Sequence, residues 1–358
     1  ALDSFELHPD FEIACVAAEP MVVNPIAIDW DAGGRMWVAS TPGYPYKEKF
    51  SGIPAHDEIQ ILTDRDGDGI MDEQQVFYQG LDLVTSLVRH GQGVIVTAAP
   101  EILYLEDTDG DDRADKTTVL YSGFGYGDTH AVISNLCWGP DGWVYGTQGY
   151  SGGASRDIRG SADPDKSLGA IRNGLLRFRP DGSAIEMVSS YGSNTWGLDF
   201  DPDGELFFTM ANGSHARHVV LPERRLEGHR SGGVNSWKDI VDHRKVFPAA
   251  HDERMVYAQI DFVGGFTAAA GCLVQSGGAW PSEFTGNHFV CEPTVNLVHR
   301  DSLSPQGVTF NASKPRQAEF LASRDLWFRP VHLRTGPDGA MYVLDFYNQA
   351  AVHNDTRG

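Results

Sequence analysis

Gly139-Pro140-Asp141-Gly142-Trp143-Val144-Tyr145 is the stretch that decides the fold of this 358-residue chain. It follows the apolar residues 136–138 and runs directly into a second apolar segment. An Asp-Gly pair supplies the positive φ angle that a tight hairpin turn requires. The phrase therefore predicts two antiparallel strands joined by a short turn.

The same phrase recurs along the chain. Related copies lie at 27–38, 197–207 and 331–342, and weaker copies at 86–96 and 272–290 divide the two longest gaps. Copies at intervals of roughly 50 to 80 residues are typical of propeller blades with variable loops. We therefore expect one all-β domain over residues 1–358, a six-bladed β-propeller of four-stranded antiparallel blades.

The two ends of the chain and one internal segment depart from this period. The last copy ends near residue 346, too soon for two further strands, whereas residues 11–17 form an unassigned alternating segment. We expect this N-terminal strand to close the last blade from outside. One strand is then still missing, which predicts a chain truncated before the last strand of a longer protein. The least periodic residues, 213–260, predict an inter-blade insertion.

Composition excludes several classes of protein. The chain has 28 Lys and Arg against 49 Asp and Glu, a formal net charge of −21, which argues against a nucleic-acid surface. No apolar run approaches the roughly 20 residues of a membrane-spanning helix. None of the four cysteines lies in a Cys-x-x-Cys motif. Cys272 and Cys291 fall on neighbouring predicted strands and are candidates for a disulfide, while Cys15 and Cys137 resemble buried small hydrophobes.

Propeller geometry predicts which polar residues share one mouth of the central channel, namely those before the first strand and after the second strand of each blade. Amides, aromatic rings, one cation and one imidazole in one funnel are typical of a carbohydrate or cofactor site. The entry positions are Asn24, Thr85, His130, Asn194, Trp196 and Arg329, and the exit positions are Tyr44, Gln148, Asn212, Asp345 and Tyr347.

His130 is the candidate general base, because imidazole titrates near neutrality and Asp128 can orient it. The alternative is a histidine held by hydrogen bonds inside a loop. Arg329 is suited either to binding an anionic group or to a structural bridge with Asp345.

Two Asp-rich loops predict calcium sites. The first has carboxylates at alternating positions, a glycine at position 6 and a backbone carbonyl at position 7, as calcium loops do, but Gln75 stands where an EF-hand has Glu. Its predicted ligands are Asp64, Asp66, Asp68, Ile70 and Asp72. The second loop repeats the pattern with Asp112 in place of the glycine, and its predicted ligands are Asp107, Asp109, Asp111, Arg113 and Asp115. The alternative for both is a solvated acidic turn.

A third metal hypothesis concerns the insertion. His215-Ala216-Arg217-His218, with His229 further on, offers imidazoles that could bind a transition metal.

Several of these stretches together carry a family resemblance. Asp128-Thr129-His130-Ala131-Val132, residues 138–146, Asn194-Thr195-Trp196-Gly197 and Trp327-Phe328-Arg329-Pro330-Val331 resemble the membrane-bound dehydrogenase domain of planctomycetes and verrucomicrobia. That domain is a propeller often fused to HEAT repeats and a haem-binding domain.

More remotely, the chain is similar to the soluble quinoprotein sugar dehydrogenases, six-bladed propellers that hold pyrroloquinoline quinone. The resemblance implies that the histidine matching His130 is the base on a sugar hydroxyl. It also implies quinone binding, although Ser193-Asn194 replaces an Arg-Asn pair and Gln148-Gly149 replaces Gly-Asp.

The leading functional expectation is a periplasmic or secreted dehydrogenase of a sugar or polyol that passes electrons to a c-type haem domain or protein. Its cofactor or substrate would contact Gln148, Asn194, Trp196, Arg329 and Tyr347. Two alternatives stay open: a polysaccharide lyase or glycoside hydrolase using His130 with Tyr44 or Tyr347, and a non-catalytic glycan-binding propeller.

Overall fold

The computed structural model describes residues 2–190, 194–226, 234–250 and 264–349. These ranges form two compact units, the Cys15 unit (Cys15–Met187) and the Val188 unit, which runs from Val188 onward and includes the residues up to Ala14. Helices are short here: one four-residue α-helix, α1 (Glu48–Ser51), and five 3₁₀ turns at Leu2–Ser4, Tyr150–Ala154, Glu223–Arg225, Ser282–Phe284 and Pro293–Val295. No helix in the described ranges is long and apolar enough to cross a bilayer.

Strand β1 (Phe5–Leu7) opens the chain, and three antiparallel sheets follow from residue 25 onward. Their order is β2-β3-β4-β5, β6-β7-β8-β9-β12-β13 and β10-β11-β14-β15. The strands are β2 (Pro25–Trp30), β3 (Met36–Ser40), β4 (Asp57–Thr63), β5 (Glu73–Leu81), β6 (Val84–His90), β7 (Gly93–Ala98), β8 (Glu101–Glu106), β9 (Lys116–Ser122), β10 (Ile133–Trp138), β11 (Val144–Gln148), β12 (Arg159–Gly160), β13 (Asp163–Ser167), β14 (Gly174–Phe178) and β15 (Ile185–Ser190).

Three further sheets are formed by β1 and the strands after β15. The fourth sheet has the order β16-β17-β18-β19, the fifth β20-β21-β22-β24-β1 with β23 paired to β22, and the sixth β25-β26. The strands are β16 (Thr195–Phe200), β17 (Leu206–Met210), β18 (Arg217–Val219), β19 (Trp237–Asp239), β20 (Ala270–Val274), β21 (His288–Glu292), β22 (Leu297–Gln306), β23 (Thr309–Ser313), β24 (Leu321–Ser323), β25 (Pro330–Thr335) and β26 (Met341–Asp345).

The recurrent Asp-Gly turn forms the hairpins predicted from it. Gly142, Gly204 and Gly339 have φ angles of 73°, 84° and 82°. In each turn an Asp side chain also accepts a hydrogen bond from the backbone N–H two residues on: Asp141 from Trp143 at 3.2 Å, and Asp201 from Asp203 and Asp338 from Ala340 at 3.0 Å. The turn glycine and the Asp side chain together fix the reversal, which explains why the phrase repeats.

The first glycine of the phrase makes room for an aromatic ring. A Cβ atom on Gly139 would lie 2.3 Å from Cε2 of Tyr145, whose hydroxyl donates to Asp141 at 2.9 Å. In the same way, a Cβ atom on Gly336 would lie 2.2 Å from Cε2 of Tyr342. Only glycine, which has no Cβ atom, leaves room for the Tyr ring at this position.

Neighbouring sheets within each unit are joined by apolar packing and by side-chain clamps. Asp29 on β2 accepts the backbone N–H of Arg89 on β6 at 2.8 Å. Asp199 on β16 accepts that of Val274 on β20, also at 2.8 Å. Both Asp residues occupy the same position of the repeated phrase, so the repeat encodes a contact between sheets as well as a hairpin.

The fold is an all-β propeller, but the prediction of six four-stranded blades is wrong. Five sheets have four or more strands and form blades, whereas the sixth has only β25 and β26 among the described residues. The strand predicted at residues 11–17 does not close a sixth blade either. The N-terminal strand of the structure is β1, which pairs with β24 of the fifth sheet.

Residues 11–17 alternate for a different reason from the one predicted. They form no strand; instead Phe11 packs among Trp280, Phe284 and Phe320, with ring centroids 4.5 to 5.1 Å apart. Phe11 and Ile13 are half-buried in this apolar cluster while Glu12 and Ala14 are exposed, so the segment shows the period of a strand without belonging to a sheet.

Two further expectations concern the internal segment and the cysteines. The range 213–260, predicted as an inter-blade insertion, includes β18 and β19, the outer strands of the fourth sheet, while its residues 227–233 and 251–260 lie outside the described residues. Cys272 and Cys291 do lie on the adjacent strands β20 and β21, but all four cysteines are free thiols. The prediction of a disulfide is wrong, because the residue directly opposite Cys291 on the neighbouring strand is Ala270 and not Cys272. Cys137 is buried as expected, whereas Cys15 is exposed.

Candidate functional site

The loop before β10 holds His130 in a fixed position. Ser151 Oγ accepts the backbone N–H of Asp128 at 3.0 Å and donates to its carbonyl at 2.8 Å. The Asp128 carboxylate in turn accepts the backbone N–H of His130 at 3.1 Å. The loop conformation is therefore set by side-chain hydrogen bonds, as is common where a functional residue sits on a loop.

The imidazole of His130 lies between a carboxylate and a phenol. Its Nδ1 is 3.7 Å from Asp128 Oδ1, and its ring meets that of Tyr44 edge-on, with centroids 5.2 Å apart. Burial raises the pKa of Tyr44, and the negative charge of Asp128 raises it further, so the phenol is neutral at pH 7. With side-chain exposures of 14% for His130 and 26% for Asp128, the pair is sheltered but reachable from solvent.

Two buried polar atoms lie beside this group without a partner among the described residues. They are Thr129 Oγ1 and Gln148 Oε1. The Nε2 of Gln148 makes long contacts of 3.4 Å to the carbonyls of Ala131 and Gly149, which places the amide under the His130 loop. Buried polar atoms normally find partners, so these two atoms are an exception within the packing around the His130 loop.

Thr85, which was also predicted to line the mouth of the channel, is buried and bonded to other strands of the Cys15 unit. Its hydroxyl is 2.9 Å from that of Thr97 and donates to the carbonyl of Ile133 at 2.6 Å. Thr85 therefore joins β6 to β10.

In the Val188 unit, Arg329 is buried and bound to the backbone. Its Nε, Nη1 and Nη2 atoms donate to the carbonyls of Asn348, Pro293 and Gln349 at 3.0, 2.8 and 2.8 Å. Asp345 contacts its backbone N–H, at 2.7 Å. Burial lowers the pKa of Arg329 to about 10, which still leaves it charged. The guanidinium therefore acts as a clamp on three loop carbonyls.

The remaining predicted contacts of that unit lie at strand ends and in loops. Asn194 precedes β16, and its carbonyl accepts the N–H of Ala211 at 2.8 Å; Trp196 lies on β16 itself. Tyr347 is exposed, packs at a tilt against Trp327 and donates to Asp325 at 3.3 Å.

The first Asp-rich loop folds around Asp64. Its two carboxylate oxygens accept the backbone N–H groups of Gly67 and Gly69 at 2.7 and 2.9 Å, and these bonds lower its pKa. Oxygens of Asp64, Asp66 and Asp72 lie within 4.8 Å of one another. Asp68 accepts the N–H of Ile70 at 2.8 Å. Hard oxygen donors so grouped are suited to Ca²⁺.

The second loop adopts the same backbone course although Asp112 replaces glycine. Asp112 has a φ of 64°, close to the 88° of Gly69 in the first loop, and its carboxylate is held by Arg35 at 2.8 Å. Oxygens of Asp107, Asp109 and Asp111 lie within 4.8 Å of one another. Asp115 instead accepts the N–H and hydroxyl of Thr108, while Arg113 donates its backbone N–H to Asp111.

A second cluster, which we call the His-Asp cluster, lies wholly inside the Val188 unit. Its members offer donor atoms that all lie within 4.8 Å of one another; they are His215, His243, His299 and Asp301. His299 and Asp301 are on β22 of the fifth sheet. His215 and His243 flank the outer strands of the fourth sheet, before β18 and after β19.

Charges around the cluster shift its protonation strongly. Burial lowers the pKa of His299, but the Asp301 and Glu319 carboxylates outweigh burial and raise it to about 9. Burial dominates at His215 and lowers its pKa to about 4. The two imidazoles hold the pKa of the buried Asp301 well below its ordinary value.

Sequence reasoning found only one of these four residues. His215 is in the cluster, but His218 points elsewhere, to Glu205 and Thr309 at 2.7 and 3.1 Å, and His229 lies outside the described residues. The signal that could have found the rest is His299-Arg300-Asp301, because alternate residues of a strand face the same side.

Residues 1–358 match the family model described as "Domain of unknown function (DUF7133)". The chain belongs to this family. No curated protein matches the DUF7133 chain by sequence.

Solved propellers resemble the DUF7133 chain in structure. The PQQ-bound aldose sugar dehydrogenase of Streptomyces coelicolor has a TM-score of 0.55 at 13% identity, covering 98% of this chain and 95% of that one. A glucose dehydrogenase has 0.51 at 13%, covering 92% and 95%. A luciferin-regenerating enzyme has 0.51 at 10%, covering 94% and 88%. Identity at this level shows the shared propeller fold alone.

Proposed function

We propose that this chain is an enzyme acting on a carbohydrate or polyol, with His130 as the base that takes a proton from the substrate. The observation that carries the proposal is the arrangement of His130 between Asp128 and Tyr44 on a loop fixed by Ser151. The shelter of the same loop, where the side chains of His130 and Asp128 are 14% and 26% exposed, leaves this pair reachable by a ligand.

The geometry best supports acid–base chemistry by the His130–Tyr44 pair. In a lyase, His130 takes a carbon-bound proton of the substrate while a C=C bond forms and the bond to the leaving oxygen breaks; in a glycoside hydrolase, it takes the proton of the water that attacks the anomeric carbon. The carboxylate of Asp128 stabilises the imidazolium that forms when His130 accepts a proton. The neutral phenol of Tyr44 is a donor within the same group and can return a proton to the leaving oxygen. Both roles need only side chains of the Cys15 unit.

Oxidation of a sugar or polyol hydroxyl is the second candidate, and the shared fold with a PQQ-bound aldose sugar dehydrogenase favours it. Under this candidate the protein works in the periplasm or outside the cell and passes electrons to a c-type haem protein. The side chains expected to hold the quinone do not fit that anionic group well. The guanidinium of Arg329 already donates to three backbone carbonyls, which leaves it poorly placed to bind an anion, and Gln148 is fully buried.

One substrate screen separates the candidates. The protein is incubated with polyuronides, neutral glycans, aldoses and polyols, with and without pyrroloquinoline quinone, Ca²⁺ and a redox dye. Unsaturated or shortened products without dye reduction support the acid–base enzyme, and quinone-dependent dye reduction supports the dehydrogenase. Glycan binding without any product would leave a non-catalytic propeller and overturn the proposal.

A further inference from the structure

We propose that the His-Asp cluster is a closed four-ligand site for a divalent transition-metal ion, with Zn²⁺ the ion that suits it best. Imidazole and carboxylate donors in this ratio favour zinc and its neighbours over Ca²⁺ or Mg²⁺, which prefer oxygen alone. The site is separate from the His130 loop and from both Asp-rich loops, and its ligands come from the fourth and fifth sheets of one unit.

The distances between the donor atoms are those of a metal's coordination shell. His243 Nε2 and His299 Nε2 are 3.1 Å apart, and they lie 3.5 and 3.3 Å from Asp301 Oδ1. A tetrahedron with metal–ligand bonds of about 2.0–2.1 Å has edges of about 3.3–3.4 Å. These three atoms therefore outline one face of a zinc tetrahedron. His215 Nε2 adds a fourth donor, 2.9 Å from the other oxygen of Asp301.

The outer nitrogens of two cluster histidines bind carboxylates, as metal-ligating histidines usually do. His299 Nδ1 is 2.6 Å from Glu319, and His243 Nδ1 is 2.7 Å from Asp242. Glu319 is itself fixed by Lys314 and by the backbone N–H of Phe247, each at 2.7 Å. This second layer turns both Nε2 atoms inward.

The same bonds decide which ring nitrogens face the centre. An ionised carboxylate only accepts, so each Nδ1 donates outward and Nε2 is the atom turned toward Asp301. The Nε2 atoms of His243 and His299 and an Asp301 oxygen then lie 3.1 to 3.5 Å from one another. A hydrogen bond can bridge only one of these contacts, whereas a metal ion that displaces the Nε2 protons bonds to every donor at once.

Burial indicates a structural ion. His215, His299 and Asp301 are fully buried, and only His243 is partly exposed, at 17%. Four ligands from the described part of the chain complete a tetrahedral shell and leave no open position for substrate, which is typical of structural zinc. The ion would join β22 to the loops that flank β18 and β19, so its binding energy would stabilise the packing of two sheets.

The test is metal retention by the full chain. The protein is loaded with Zn²⁺ in a Ca²⁺-containing buffer, which keeps the Asp-rich loops from taking up zinc, then desalted and analysed by mass spectrometry. We expect one zinc per chain. Loading with Co²⁺ in its place should give the intense visible bands of a four-coordinate ion, and chelator should lower the unfolding temperature.

His243→Gln is the informative variant, because this residue is the most exposed member and its loss disturbs packing least. We expect its zinc affinity to fall more than about 100-fold and its unfolding temperature to become insensitive to chelator. Asp242→Asn should keep the stoichiometry but bind about 10- to 100-fold more weakly. His218→Gln, which alters a buried imidazole bound to Glu205, is the matched control and should retain one zinc.

Three results would overturn the proposal. They are wild-type protein that retains no zinc, a Co²⁺ spectrum with the weak bands of six-coordination, and a folded His243→Gln variant that keeps the full equivalent. If the wild-type protein retains no zinc, the three histidines and Asp301 are held together by hydrogen bonds and not by a metal ion.

Discussion

The ring of Tyr44 meets the ring of His130 edge-on, with centroids 5.2 Å apart and planes at 76°. This contact fixes the tilt of the imidazole from one side, while Asp128 faces Nδ1 from another. A base whose rotation is restricted by packing and by charge is ready for proton transfer without reorganisation. The pairing therefore gives each of the three side chains a distinct, testable role.

Removing the imidazole should abolish turnover. We expect His130→Ala to lower kcat by about 100- to 10,000-fold on whichever substrate the screen identifies, since general bases contribute factors of this size. The measurement is steady-state kinetics, with a circular dichroism spectrum to verify the fold. His56→Ala is the matched control, because that histidine is exposed and hydrogen-bonded to the carbonyl of Pro54. Full activity in His130→Ala would remove the residue from the mechanism.

Tyr44→Phe distinguishes a phenol that donates a proton from a ring that only packs. The substitution keeps the ring against His130 and removes the hydroxyl. If the phenol is the acid, kcat should fall by at least about tenfold with KM nearly unchanged. Unchanged kcat would confine Tyr44 to positioning His130.

The hairpins were predictable because their signal is local. Asp-Gly turns such as Asp141-Gly142 require a positive φ that few residues adopt, so the sequence marks them directly. The partner of β1 was not predictable, because it depends on Phe5 meeting Phe328, more than 300 residues away, at 4.9 Å. The His-Asp cluster was missed for the same reason: three segments of the chain supply it.

The turn glycines give a stability prediction. Gly139→Ala places a methyl group where Tyr145 lies, at 2.3 Å from the ring, and that ring is held by Asp141 and Arg177. We expect a loss of about 1–3 kcal/mol in the free energy of unfolding, measured by urea titration. Gly127→Ala is the control, since its Cβ would meet no atom within 4 Å. Equal stability of the two variants would contradict this account.

The Asp-rich loops predict a response to calcium. Ca²⁺ should raise the unfolding temperature, and chelator should reverse the effect, because the ion would neutralise carboxylates now held together by backbone N–H groups. Asp66→Asn should weaken binding at the first loop by at least about tenfold in calorimetric titration. Mg²⁺ serves as the control ion, since its octahedral shell fits such a loop poorly. No shift with Ca²⁺ would identify both loops as solvated acidic turns.

The clamp between β16 and β20 predicts a pH dependence of stability. Burial raises the pKa of Asp199 from 3.8 to about 6. It outweighs the N–H donors of Val274 and Phe200 and the charge of Arg334, which all lower the pKa. A raised carboxyl pKa means that the folded state binds the proton more tightly than the unfolded state does. The contribution of Asp199 to stability is therefore fully present below pH 4, declines between pH 4 and about 6, and is flat above that.

Asp199→Asn removes this titration while keeping an oxygen that can accept the Val274 N–H. The free energy of unfolding of the variant minus that of the wild type should rise between pH 4 and 6, by at most about 3 kcal/mol, and then level off. Urea titrations at four pH values measure this difference, and subtraction cancels the carboxyls common to both proteins. Asp29→Asn changes the equivalent clamp between β2 and β6 and serves as the comparison. A difference that stays constant from pH 4 to 7 would show that Asp199 is ionised in the folded protein throughout, because only a proton bound more tightly in the folded state makes it change.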